Sequence, residues 1–301
     1  MKDYFLIFFY ENINRCEIEL YIMKTLSPIF SIVIPTFNSE ATLHKCITSI
    51  ITQTFSDYEV LIIDGVSTDN TLSILNSFSE PRIKILSELD NGIYDAMNKG
   101  IKLAKGRWIY FLGSDDFIYS QDVLMLINNI ASRTNQYVIY GNVMCDNVGS
   151  NGKIYDGIFS LEKLLHRNIC HQSIFYRNEI FHKIGSYNIE YVVNADWDFN
   201  LKCRSAFKFQ YVDIIIAFFS SGGHSSTGTD DLFFQSYLDN LARYFFWQFY
   251  KKDFYQLTHQ VLEKQLHYKH YIHASIIFLQ MELCYFRISI SKIKRKICSR
   301  L

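Results

Sequence analysis

Two adjacent carboxylates, Asp115 and Asp116, follow the apolar run Trp108-Ile109-Tyr110-Phe111-Leu112 after only Gly113 and Ser114. Such a run suits a buried strand, and ligands of open α/β sheets collect at the carboxyl ends of strands. A hard divalent cation that carries phosphate takes oxygen ligands from one or two carboxylates, so the loop has the groups to hold one. Gly, Ser and Asp are also ordinary turn formers, and a plain surface turn is the competing reading. Asp64 closes a second apolar run, Val60 to Ile63. Asp95 and Lys99 lie four apart in a helical pattern, where an exposed pair contributes only about 0.3 to 0.5 kcal/mol.

These acids need a scaffold, and the pattern of elements supplies one. Phe30-Ser31-Ile32-Val33-Ile34-Pro35 reads as a short strand stopped by proline. Thr36-Phe37-Asn38-Ser39 then forms a polar turn able to cap a helix whose stripe is Leu43, Cys46, Ile47, Ile50 and Ile51. The strand before Asp64 leads through Gly65-Val66-Ser67-Thr68-Asp69, where Thr68 or Asp69 can cap a helix containing Leu72, Ile74, Leu75 and Phe78. A strand at 82–87 and a helix at 95–104 complete the next unit. Strand and helix in alternation argue for an α/β fold with a mainly parallel sheet. Three acidic loops then fall on one sheet edge.

Ser31 to Asn38, Asp64 to Thr71, Asp90-Asn91-Gly92-Ile93-Tyr94-Asp95-Ala96-Met97-Asn98-Lys99-Gly100 and Phe111 to Asp116 resemble, in order and spacing, successive signatures of family 2 glycosyltransferases. A fifth segment, Asn194-Ala195-Asp196-Trp197-Asp198-Phe199, resembles the stretch that carries the catalytic base in that family. The resemblance covers roughly residues 28–224. It implies the A-type glycosyltransferase (GT-A) fold, a nucleotide-sugar donor, a divalent metal (Mn²⁺ or Mg²⁺) and inversion at the anomeric carbon. Under it Asp116, with Asp115, holds the metal, and one of the pair touches the ribose. The family often has Asp-x-Asp here, whereas this chain begins the motif with Gly113.

The resemblance further implies that Pro35, Thr36, Asn38, Asp64, Asp95 and Asp115 line the donor nucleotide. An Asp64 carboxylate accepts from either uracil or guanine, so a UDP- and a GDP-linked donor both remain open; capping of the next turn is its plainer role. Asp196 becomes the general base that takes the proton of the acceptor hydroxyl. Asp198, two residues on, is favoured by a helix start whatever its role. Trp197 either underlies a sugar or belongs to the core. His171, before the run Ile174-Phe175-Tyr176, faces the acceptor side in the family pattern or is simply structural. In the loop Ser220 to Thr227, glycines allow amides near phosphate, and His224 could complete the metal shell or touch the diphosphate; an ordinary linker fits as well.

Composition bounds the rest. The 301 residues are 49% hydrophobic with zero formal net charge, which gives no support for a nucleic-acid partner. Neither a P-loop nor Gly-x-Gly-x-x-Gly is present. Seven scattered cysteines without a Cys-x-x-Cys pair suggest reduced thiols in a cytoplasmic setting. Residues 1–27 read as an extension, with Met23 a plausible start; 28–229 read as the catalytic domain, its nucleotide-sugar half about 28–120 and its acceptor half about 121–229. Residues 230–301 form a helical tail rich in aromatic and basic residues, suited to the inner face of a membrane without spanning it. His267, His270 and His273 recur every third residue without carboxylate neighbours and read as a solvated face. Two function classes follow: an inverting transferase acting on a glycan or polyprenyl-linked acceptor, and a donor-binding module or sugar nucleotidyltransferase on a similar sheet.

Overall fold

The computed structural model describes residues 27–146, 152–220 and 230–245. Four parallel strands form its first half: β1 (Phe30–Thr36), β2 (Tyr58–Asp64), β3 (Ile83–Ser87) and β4 (Trp108–Phe111), in the order β3-β2-β1-β4. The sheet continues through β8 (Ile174–Arg177), β6 (Val138–Cys145), β9 (Phe209–Phe219) and β5 (Phe117–Ile118), with β7 (Lys153–Tyr155) beside β6. Here the pairing is mixed: β4 with β8, β8 with β6 and β5 with β9 are antiparallel, while β6 with β9 is parallel. The parallel half reads correctly from alternation of strand and helix; the mixed half depends on long-range pairing that local pattern does not encode.

Alternation of side chains along the central strands divides the core into two layers. Phe30, Ile32, Ile34, Val60, Ile62, Trp108 and Tyr110 face α1 (Leu43–Ile51), α2 (Thr71–Ser77) and α4 (Val123–Ala131). Val33, Leu61, Ile63, Ile109 and Phe111 face α3 (Ile93–Leu103), α5 (Leu161–His166), α6 (Glu179–Ile184), α7 (Ala195–Ala206) and α8 (Asp231–Tyr244). Burial on both faces is why these strands read as continuous apolar runs. The close seat of α3 depends on Gly100, where a Cβ would overlap Cγ1 of Val33.

Two local expectations change. The first strand runs through Pro35 to Thr36. The Val33 carbonyl accepts from Leu112 N at 3.1 Å, and residues two apart point to the same side, so the Pro35 nitrogen faces the β4 side just after pairing with Phe111 has ended. No ladder bond is lost, the condition under which proline is tolerated in a strand. The Asn38 side chain does not cap α1, which begins at Leu43 without a side-chain cap. Asp69 does serve the start of α2, its Oδ1 accepting from Thr71 N at 3.0 Å.

Candidate active site

Three loops leave the carboxyl ends of β1, β2 and β4 and are stitched together by short polar side chains. Asn38, in the left-handed region at φ 47°, accepts at Oδ1 from Thr68 N (2.9 Å) and donates its own N–H to Ser67 Oγ (2.8 Å). The Ser39 hydroxyl pairs with that of Ser114 at 2.8 Å, joining the first loop to the aspartate loop. Pro35 and Thr36 are buried in β1 below this junction, Thr36 Oγ1 donating to Ile34 O at 3.2 Å.

Asp64 is fully buried at the end of β2. Its Oδ1 accepts from Ser67 Oγ at 2.5 Å; its Oδ2 accepts from Ser67 N at 3.1 Å and Ser87 Oγ at 2.6 Å. A carboxylate has about four acceptor positions, so this one caps its own turn and still has capacity for a further donor. Asp90 lies beside it, because a Cβ on Gly65 would sit 2.7 Å from Asp90 Oδ2. Asp90 belongs to the third sequence motif, and only the packing of the two loops brings it to this position. Asp95 accepts from Asn91 N at 3.0 Å and serves the start of α3, while Lys99 pairs with Glu88 at 3.0 Å and lies 3.9 Å from Asp95.

The aspartate loop is built around a missing side chain. A Cβ on Gly113 would lie 2.5 Å from Asp116 Oδ2 and 2.7 Å from Asp115 Oδ1, so both carboxylates reach into the space above this glycine. Asp116 is 2% exposed; Gln172 Nε2 donates to its Oδ2 (2.6 Å) and Ser220 N to its Oδ1 (2.8 Å). Burial, and then the like charge of Asp115, raise its pKa from 3.8 to about 6, against the opposing pull of the Ser220 amide, Gln172 and His171. Among the described residues no lysine or arginine pairs with either acid. Two crowded carboxylates without a cation, over a cradle that a methyl group would fill, are the donor set a hard divalent ion takes together with diphosphate oxygens. The described residues hold no group of three or more His, Cys, Asp or Glu placed as a complete metal shell. His224 lies outside the described residues.

Asp196 sits in the first turn of α7 at 8% exposure. Its Oδ1 accepts from Trp197 N (2.9 Å) and its Oδ2 from Asn168 Nδ2 (2.8 Å); Tyr94 OH stands 3.0 Å from Oδ1 and shares its one proton with the nearer Val193 carbonyl. His171 Nδ1 stands 3.6 Å from Oδ2, beyond hydrogen-bond range, and its buried Nε2 has no partner among the described residues. Asn168 and Gln172 therefore connect Asp196 and Asp116 through one five-residue segment. Cys170, within that segment, donates from Sγ to Gln172 Oε1 at 2.8 Å; burial of its thiol, then the charge of Asp116 and, less, that of Asp196, push the thiol pKa up. The parts the sequence reading missed, Asn168, Gln172 and Tyr94, carry no charge and stand out only once the carboxylates they serve are located.

Trp197 and Asp198 turn elsewhere. The Trp197 ring packs with Phe233, Phe234 and Tyr237, its Nε1 donating to Leu164 O at 2.7 Å. The Asp198 carboxylate accepts from Asn240 Nδ2 (2.9 Å) and Tyr244 OH (2.9 Å), both on α8. Burial raises its pKa, against the pull of Tyr244, Lys202 and Asn240. Both residues thus join α7 to α8, and neither contacts Asp116 or Asp196 with its side chain.

A sequence model described as Glycosyl transferase family 2 matches residues 31–191. Over 215 residues the chain is 43% identical to a PGL/p-HBAD biosynthesis glycosyltransferase of Mycobacterium bovis (strain BCG / Pasteur 1173P2), covering 69% of this chain and 83% of that protein. Among solved structures, S. aureus TarS (residues 1–349) in complex with UDP-GlcNAc superposes with a TM-score of 0.60 at 19% identity, over 71% of this chain and 65% of that one. The mannosyltransferase PcManGT from Pyrobaculum calidifontis, in complex with GDP-Man and Mn²⁺, does so with a TM-score of 0.53 at 12% identity, over 86% and 81%. At those identities the structures speak for the GT-A fold, while the sequence match extends across the acidic loops of β1, β2 and β4 and their supports; the chain belongs to glycosyltransferase family 2.

Proposed function

We propose that the chain moves a sugar from a UDP- or GDP-linked donor onto a hydroxyl of a glycan or lipid-linked acceptor, with inversion and with Asp196 as general base. The observation that carries this reading is the segment 168–172: Asn168 holds the proton acceptor at one end, and Gln172 holds a cation-ready carboxylate at the other. An inverting displacement needs those two functions on opposite faces of the anomeric carbon.

Asp115 and Asp116 hold the Mn²⁺ or Mg²⁺, as the convergence of their carboxylates over Gly113 supports. When bound, the ion supplies charge stabilisation for the departing diphosphate without a proton transfer. Asp64, with Asn38, Thr36 and Pro35 around it and Asp90 beside it, receives the nucleobase edge. His171 contributes its unpartnered Nε2 to the space between the two acids, where a donor to a phosphate or sugar oxygen is useful. Asp196 takes the acceptor proton while Asn168 and the Trp197 amide keep its carboxylate fixed. Family membership favours transfer over nucleotide synthesis, a reaction that has no use for a base aimed at an acceptor hydroxyl.

No helix among the described residues is long and apolar enough to cross a membrane. Peripheral attachment to the inner membrane face through the basic tail is part of the proposal; the tail beyond Phe245 and residues 1–26 lie outside the described residues.

A thermal-shift screen of UDP-glucose, UDP-N-acetylglucosamine and GDP-mannose with Mn²⁺ identifies the donor, since a ligand of the folded state raises Tm. Asp196→Ala is expected to keep that shift and lose transfer by about 10³-fold or more. Transfer at the parental rate by this variant would remove Asp196 from the mechanism.

A further inference from the structure

Behind Asp196 runs a chain of buried polar groups that reaches the sheet. Asn168 Nδ2 donates to Asp196 Oδ2 at 2.8 Å; Asn200 Nδ2 donates to Asn168 Oδ1 at 2.8 Å; Tyr176 OH donates to Asn200 Oδ1 at 2.6 Å. The four residues come from three elements: Tyr176 from β8, Asn200 and Asp196 from successive turns of α7, Asn168 from the loop after α5. Tyr176 and Asn200 are both fully buried. The backbone carbonyl of Asn168 is fixed as well, accepting from Tyr155 OH at 2.6 Å.

The direction of every bond in this chain follows from its last member. An ionised carboxylate only accepts, so Asn168 must present its NH₂ to Asp196 and its carbonyl oxygen to Asn200. Asn200 must then present its NH₂ to Asn168 and its carbonyl oxygen to Tyr176. Tyr176 is left as the donor. A reversed amide anywhere along the line would put two acceptors or two donors face to face in a dry interior, where an unmet polar group costs free energy. The two asparagines therefore have one permitted orientation each.

We propose that Tyr176, Asn200 and Asn168 form a polarity-locked positioning relay that holds the Asp196 carboxylate in its reactive orientation, anchoring it to strand β8. Tyr176 and Asn200 act only through their neighbours and touch no substrate. The relay rests on Asp196 being the base. It adds that residues one and two steps removed from Asp196 set the rate of transfer while leaving donor affinity alone. It also explains a fully buried asparagine in the middle of a helix, a costly choice if packing alone were at stake.

The test measures Mn²⁺-dependent release of nucleoside diphosphate with water as acceptor, using whichever of UDP-N-acetylglucosamine, UDP-glucose or GDP-mannose reacts fastest. Four variants are compared with the parent: Asp196→Asn, Asn200→Asp, Tyr176→Phe and Tyr58→Phe. Asn200→Asp keeps shape but offers Asn168 an acceptor, which turns its amide round and points an oxygen at Asp196. The expected result is a fall in kcat of about 100-fold, as for a misplaced reacting group, at unchanged donor KM. Tyr176→Phe removes one hydroxyl at the far end and should lower kcat about fivefold, the worth of one hydrogen bond. Tyr58→Phe deletes a comparable buried hydroxyl, bonded to Ile50 O at 2.8 Å in the other half of the fold, and should leave kcat unchanged at a similar loss of Tm.

Parental kcat in Tyr176→Phe, or a loss in Tyr58→Phe equal to that in Tyr176→Phe, overturns the relay while leaving the base in place. Should Asn200→Asp fail to fold, the paired Phe variants still decide. Parental kcat in Asp196→Asn removes the base and the relay with it.

Discussion

Two buried carboxylates sit at opposite ends of the parallel strands, and the protein treats them differently. Glu59, near the start of β2, is surrounded by groups that complete it: Lys84 Nζ at 2.6 Å, Ser31 Oγ at 2.7 Å and Lys105 N at 2.7 Å. Burial alone would raise its pKa, but these donors together outweigh that and hold it below the ordinary 4.5. Asp116, past the other end of the sheet, has two neutral donors, a second carboxylate beside it and no cation among the described residues; its pKa goes the other way. The first acid is finished by its own chain. The second is left with negative charge that none of the described residues balances, the difference that the proposed metal role of Asp116 draws on.

Asp116→Asn should break the contrast most severely. Mn²⁺-dependent donor binding is expected to weaken by about 100-fold or more, the loss of a charged ligand in a dry site, while the ligand-free protein becomes more stable by about 2 kcal/mol at pH 7. The sign follows from the raised pKa. The folded chain binds more protons than the unfolded one between about pH 4 and 6, so parental stability falls as pH rises through that window, and the gain from the variant should vanish toward pH 4. Calorimetry with titrated donor and denaturant melts at pH 4 and pH 7 check both halves; a variant that is destabilised at both pH values would count against the reading of Asp116.

Glu59→Gln should do the reverse, costing about 2 kcal/mol at pH 7 through weaker hydrogen bonds to Lys84 and Lys105 with donor binding intact. Because the folded pKa of Glu59 is lowered, its contribution is present above pH 4.5 and fades as pH falls through the folded value, so the variant and parent should converge in acid. Urea melts across that range measure it, and a loss of donor affinity would erase the distinction between the two ends.

Gly113→Ala sharpens the comparison with a single methyl. The added carbon would meet an oxygen of each aspartate at 2.5 and 2.7 Å, so the carboxylates must separate and metal-dependent donor binding should weaken about tenfold, near 1.4 kcal/mol. Equal Mn²⁺ affinity for variant and parent would detach the cradle from the cation. Asp198→Ala should have the smallest effect, about 1 kcal/mol of stability as Asn240 and Tyr244 lose their shared acceptor and α8 loosens, with donor binding retained. Hydrogen exchange in α8 would reveal the loosening.

Much of this was legible in advance because the signals are local. The strands that lead to Asp64 and to Gly113 and the apolar stripe of α1 follow from short-range pattern, and burial on both faces makes the parallel strands easy to see. What failed to show was set by contacts far apart in sequence. Proline at 35 looked like a stop because the early end of β4 was not known. Asp198 reads from sequence as an acid favoured by a helix start, and its actual partners on α8 emerge only from the packing. Asn168 and Asn200, 32 residues apart, are unremarkable polar letters until the fold sets them in line.

The seat of α3 has a reach beyond packing. Tyr94, whose hydroxyl touches Asp196, stands on the same rod as Gly100, six residues or roughly 9 Å away along its axis. The bare α-carbon against Val33 fixes how deeply that rod sinks toward the strands. A spacer as thin as one methyl there would lift a phenol away from Asp196, so under the proposed mechanism the thickness of an interior layer is at the same time a ruler for the reaction.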